Sequence, residues 1–179
     1  MKGIVFAEFL ELAEARFGLE AVETAIQHAN PASNAAYTSV GNYHHTELTD
    51  LVLALSAHVG VPPNQLIITF GHHLFHRFTE LYPKLFIGTT SAVDFLCSVH
   101  GHIHVEVRKL YPDAELPVFS HTRREDGQLE LTYSSTRPFA DLAEGLIKGC
   151  LEHFGGDYSL RREDITPDGR SARFLIGAA

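Results

Sequence analysis

The stretch Leu129-Glu130-Leu131-Thr132-Tyr133-Ser134-Ser135-Thr136-Arg137 carries a two-residue period that runs from apolar side chains into hydrogen-bonding ones. As a strand it places Leu129, Leu131, Tyr133, Ser135 and Arg137 on one face and Glu130, Thr132, Ser134 and Thr136 on the other. The first face therefore ends in a phenol, a hydroxyl and a guanidinium. Arginine has five donors and no acceptor, so it requires an anionic partner, and the adjacent hydroxyls complete a cradle for carboxylate or phosphate oxygens. The chain offers no acidic partner in register. The competing reading is an edge strand whose polar end is simply solvated.

Working outward, Leu116 to His121 reads as a partner strand, joined through a turn containing Asp126-Gly127. Pro138 holds Arg137 extended and suits the first turn of a helix whose Phe139, Leu142, Leu146, Cys150, Leu151 and Phe154 face one way, up to Gly155-Gly156. Asp157 to Ile165 and Ser171 to Ile176 supply two further strands around Pro167-Asp168-Gly169. Before this region the chain is helical in period, apart from Pro31 to Asn42, which is rich in small and polar residues and reads as a loop. Phe6, Phe9, Leu10, Ala13 and Phe17 mark a first helix, and Leu19 to about His28 a second. Leu48, Leu51, Val52, Leu55 and Val59 mark a third, and a long helix runs from about Asn64 to Tyr82. Ser91-Ala92-Val93-Asp94 caps a helix that continues through Leu110 and is closed by Tyr111-Pro112. The fold class is α+β: helices followed by a small antiparallel sheet near the C-terminus.

The 179 residues suffice for one sizeable core, and no linker rich in Pro, Gly or Ser divides them. A hydrophobic share of 45% with 20% charged residues excludes disordered and fibrous classes. The formal charge of -8 argues against nucleic acid, which needs clustered Lys and Arg. Glu8, Glu11 and Glu14 rule out a secretory or spanning segment at the start, and the isolated Cys97 and Cys150 fit a reducing compartment, so the cytoplasm is expected.

Histidine is abundant, at 12 residues. His100, His102 and His104 would share a face on a strand and invite a zinc reading, but the surrounding period is helical. On a helix only His100 and His104 are neighbours, and no Glu completes a zinc-protease motif. Gly101 leaves room for a flat ligand against that helix. The plainer reading makes these surface histidines, and the same holds for His72, His73, His76 and the pair His44-His45. No nucleophile elbow, P-loop or dinucleotide fingerprint is present.

Met1-Lys2-Gly3 opening an amphipathic helix, a histidine in a buried helix, Tyr111-Pro112 and Leu116-Pro117 after it, and then Tyr-x-Ser-x-Arg together resemble the haem nitric oxide/oxygen binding family, H-NOX, of the bacterial stand-alone type. That family is similar to the haem domain of soluble guanylate cyclase, and the resemblance covers essentially the whole chain. It implies one domain over 1–179, with a helical distal lobe at about 1–60, a proximal lobe at about 61–179, and haem b (protoporphyrin IX iron) buried between. Tyr133, Ser135 and Arg137 match the residues that bind the haem propionates, His104 the axial ligand of the iron, and Pro117 a proline that presses on the porphyrin. His100 and His102 receive no ligand role. Oxygen-binding members carry a distal tyrosine where this chain has Leu142, and a polar residue where it has Leu74. A pocket of Val5, Phe9, Leu74, Phe78, Leu142 and Leu146 is therefore expected to favour nitric oxide and carbon monoxide over oxygen. The implied function is gas sensing without catalysis, signalling to a separate histidine kinase or cyclic-di-GMP enzyme. The cysteine-rich zinc site of some relatives is not expected, since only Cys150 and His153 stand in that region. Two other classes were open on the residues alone: a histidine-rich metal-dependent enzyme, and a haem-free ligand-binding interaction module.

Overall fold

The computed structural model describes residues 1–179, which form two compact units, Met1–Phe70 and Gly71–Ala179. The first unit is helical. It comprises α1 (Gly3–Phe17), α2 (Leu19–Ala29), α3 (His45–Val59) and the first turns of α4 (Pro63–Leu81). Gly18, at φ 86°, turns the chain between α1 and α2, and Asn30 closes α2 in the left-handed region that asparagine tolerates. Phe6, Phe9, Leu48, Leu51, Val52, Leu55 and Phe70 are its buried core. The connection 31–44, which contains the loop expected over Pro31 to Asn42, has no helix or strand but carries two aromatic anchors. The Tyr37 ring stacks on Phe6 at 4.5 Å, and Tyr43 meets the same ring edge-on at 5.7 Å. Their hydroxyls donate to Glu47 and to the Ala36 carbonyl, so neither phenol is left unsatisfied inside the unit.

The second unit holds the rest of α4, then α5 (Ala92–Ser98), α6 (His104–Leu110), β1 (Val118–Arg123), β2 (Leu129–Ser134), α7 (Ala140–Phe154), β3 (Tyr158–Asp164) and β4 (Ser171–Ala178). The strands form one antiparallel sheet in the order β1-β2-β4-β3. The two-residue period in β2 does what it should: Leu129, Leu131 and Tyr133 are buried and stand opposite Ile176, Phe174 and Ala172 of β4, which are buried too. The opposite face is polar, where Arg173 reaches Glu130 at 3.2 Å and Glu163 at 3.4 Å.

Three expectations need correction. The helix anticipated as continuous through Leu110 is broken into α5 and α6 by a π-helical segment, Val99–Ile103, in which the His104 N–H bonds back to the Val99 carbonyl. Hydrophobic period cannot show one inserted residue, because the apolar stripe resumes after it. The central strand ends at Ser134, so Ser135 and Arg137 lie in the turn beyond it, and α7 begins at Ala140, after Pro138. Finally, β1 is displaced toward the turn, at Val118–Arg123.

Within this unit α4 and α7 touch backbone to backbone. A Cβ on Gly71 would lie 2.4 Å from the Leu142 carbonyl oxygen and 3.0 Å from the Gly145 Cα, and a Cβ on Gly149 would lie 2.8 Å from the His72 carbonyl. Gly71→Ala should therefore destabilise the protein by about 1–3 kcal/mol through overpacking. A lowered unfolding midpoint, measured calorimetrically against wild type, checks this; an unchanged midpoint would show that the helices part without cost.

Candidate functional site

His104 opens α6 directly after the π turn, and its side chain is buried, at 9% exposure, whereas His102 is exposed and His100 half-buried. The inserted residue sets this phase, turning His104 inward and leaving Gly101 in open space. His104 packs 5.9 Å from the Phe119 ring and 6.3 Å from the His100 ring. Burial, reinforced by the charges of His100 and Arg108, pushes its imidazole down to about 4, while the Pro117 backbone opposes the shift. At neutral pH the ring is uncharged and buried. A buried neutral imidazole is the form that ligates a metal.

The three residues expected to form an anion cradle lie close together, but not as a strand face. Tyr133, Ser135 and Arg137 are joined in a turn rather than ranged along a strand: the Tyr133 hydroxyl donates to the Arg137 carbonyl at 3.3 Å, and the Arg137 N–H donates to Ser135 Oγ at 3.1 Å. Burial raises the Tyr133 phenol above its ordinary value, so it remains a protonated donor. The Arg137 guanidinium, only 15% exposed, pairs with the Glu115 carboxylate. That acid comes from the connection between α6 and β1, outside the register in which a partner was sought. Glu115 is itself 73% exposed, so a stronger anion can displace it.

The remaining candidates fall in both units. Val5 and Phe9 lie on α1, and Phe9 meets Phe70 edge-on at 5.3 Å. Phe9 also lines a cavity of about 420 Å³ in the N-terminal unit, with Leu12, Phe17, Leu55 and Leu66. In the C-terminal unit, Leu74 is buried on α4 and Phe78 packs 6.0 Å from Tyr82. Leu142 and Leu146 are half-buried on α7, and Pro117 is half-buried just before β1. Sequence reasoning missed Phe119, Glu115 and the glycine contacts. Only the last had a signal, the Gly145-x-x-x-Gly149 spacing that marks close helix approach.

These features fit haem on the chain's own terms: a buried neutral imidazole for the iron, a hydroxyl-guanidinium turn for paired carboxylates, and apolar side chains on α4 and α7. The model of the haem-NO-binding family matches residues 2–162. The chain belongs to the H-NOX family. An H-NOX protein from K. algicida, solved in the Fe(II) unliganded state, is 38% identical with a TM-score of 0.94 over 100% of this chain and 97% of that one. The H-NOX from Shewanella woodyi in the Fe(II)CO state is 41% identical, with a TM-score of 0.84 over 100% and 95% of the respective chains. The H-NOX from S. oneidensis in the Fe(II)NO state shares the fold, with a TM-score of 0.91 at 24% identity over 100% and 99%. None of the curated proteins compared matches the chain. The α+β architecture is that of H-NOX, the family binds haem, and its domains are gas sensors rather than catalysts. No single helix of this H-NOX chain is long and apolar enough to cross a membrane.

Proposed function

We propose that this H-NOX protein senses nitric oxide through His104, excludes stable oxygen binding, and signals to a separate protein in the cytoplasm. The observation that carries this reading is the buried, uncharged His104 at the end of a π turn. When bound, the haem supplies an iron that takes up diatomic gases. The chain's part is to hold it. His104 would ligate the iron, Tyr133, Ser135 and Arg137 would hold the propionates, and Pro117 would bear on the macrocycle. Leu74, Phe78, Leu142 and Leu146 offer no hydrogen-bond donor to a bound gas.

Gas binding that weakened the hold of the iron on His104 would free α6, which ends in the exposed residues Arg108, Lys109 and Leu110. Such a movement becomes a signal when a partner binds the two positions of α6 with different affinity. A histidine kinase or a cyclic-di-GMP enzyme is the expected partner class. The test is direct. Ferrous protein should shift its Soret band on addition of nitric oxide and of carbon monoxide, and Arg137→Ala should lose haem several-fold faster to an acceptor protein. A colourless protein after expression with ample haem supply, or haem loss unchanged in Arg137→Ala, would defeat the assignment.

A further inference from the structure

Away from His104, three ligating side chains converge where α4 and α7 pack. His72 and His76 stand one turn apart on the same face of α4, with ring centroids 4.9 Å apart. Glu152, on α7, reaches both: its Oε2 lies 2.6 Å from His72 Nε2 and its Oε1 3.8 Å from His76 Nε2. One atom of each side chain lies within 4.8 Å of the other two. We propose that His72, His76 and Glu152 form a binding site for a divalent transition-metal ion of the zinc class, separate from the haem iron.

The donor set decides the class. Two imidazoles and one carboxylate suit zinc, cobalt, nickel or copper, whereas calcium and magnesium call for oxygen ligands alone. Zinc bonds of about 2.0–2.2 Å at tetrahedral angles set neighbouring donors about 3.3–3.6 Å apart. The present separations, 2.6 Å from His72 to one Glu152 oxygen and 3.8 Å from His76 to the other, fall on either side of that range. The Glu152 side chain, 65% exposed, can swing to equalise them. With three protein ligands, a fourth position remains for water.

A second observation is specific to His76. Its Nε2 is buried and makes no hydrogen bond, although the His72 ring and the Glu152 carboxylate stand beside it. A plain surface ion pair between His72 and Glu152 leaves that atom unsatisfied; an ion bound by all three satisfies it. The scaffold beneath is tight. Gly149, one turn before Glu152, sits so close to His72 and Phe75 that a Cβ there would lie 2.8 Å from atoms of each, so the helices present the three ligands from fixed backbones. An ion here would bolt α4 to α7, the helices that carry Leu74, Phe78, Leu142 and Leu146.

The experiment is a zinc titration of the haem-loaded, chelator-treated protein by isothermal calorimetry, with zinc content measured by atomic emission. Wild type should take up one equivalent at micromolar affinity. His76→Ala and Glu152→Gln should each weaken that uptake at least about tenfold. His28→Ala and His58→Ala should leave it unchanged, and zinc should raise the unfolding midpoint of wild type but not of the two site variants. Absence of micromolar binding, or binding of equal strength in a His72→Ala/His76→Ala double variant, would overturn the proposal. Glu152→Gln removes an exposed charge with little change of shape, so its Soret band should match wild type and its zinc affinity decides the matter even if a histidine variant folds poorly. The heat of zinc binding is read independently of the gas-sensing assignment, so the two can fail separately.

Discussion

His104→Gly should abolish the native Soret spectrum and weaken haem retention by at least the ~10- to 100-fold that follows from losing even a supporting partner of a metal ligand. The substitution removes the buried neutral imidazole at the end of the π turn. Glycine is the useful choice because it vacates the volume of the ring, and imidazole added to the buffer can then enter and ligate in its place. Recovery of the spectrum with imidazole separates lost ligation from lost folding. His100→Ala and His102→Ala should leave the spectrum close to wild type, since His102 is exposed and His100 lies on the preceding π segment. If His100→Ala instead abolishes the band while His104→Gly retains it, the register drawn from Tyr133, Ser135 and Arg137 is wrong.

Ferrous wild-type protein opened to air should show no oxy spectrum, whereas Leu142→Tyr should acquire one. Bound oxygen carries partial negative charge and gains from a donor, and a buried hydrogen bond to a charged acceptor is worth about 1.5–3 kcal/mol. That corresponds to roughly 10- to 100-fold in the oxygen dissociation constant. Nitric oxide depends far less on such a donor, so its spectrum should change little. Five of the six tyrosines already present are otherwise engaged, and the sixth, Tyr158, opens β3. Tyr37 donates to Glu47, Tyr43 to Ala36, and Tyr133 to Arg137, while the Tyr82 and Tyr111 hydroxyls stand 2.9 Å from each other. An oxy complex in the unmodified protein would show that a donor other than residue 142 reaches the iron. Stopped-flow dissociation of oxygen and carbon monoxide from both proteins makes the comparison.

Much of the fold is legible in the sequence. The alternation in β2 announced its buried face because each residue on a half-covered strand answers to one side only, and Leu129, Leu131 and Tyr133 are all buried. The helical stripes through Phe6, Phe9, Leu48, Leu51 and Leu55 were legible for the same reason at a different period. What stayed hidden depends on contacts that leave no periodic trace. Glu115 meets Arg137 across 22 positions of chain, from a connection with no regular structure. The turn at Ser135 and Arg137 continues the strand's alternation in type while abandoning its geometry, because serine's hydroxyl captures a backbone N–H two residues on. The convergence of His72, His76 and Glu152 needed the packing of two distant helices, and α4 alone showed only a histidine-rich face.

The π segment Val99–Ile103 carries one residue more than an α-helical path of the same rise requires. That surplus acts as slack in an otherwise taut rod. Passing it along by one position turns each residue it crosses by about 100° around the helix axis, the angular step of an α-helix, and exchanges hydrogen bonds without breaking the chain's run of them. The segment ending at His104 can thus change the direction in which its side chain points while α5, anchored by Phe95 and Leu96 in the core, stays where it is. A rotation so confined reorients only the residues that the surplus crosses, so the imidazole at the start of α6 can turn while the packing of α5 is kept.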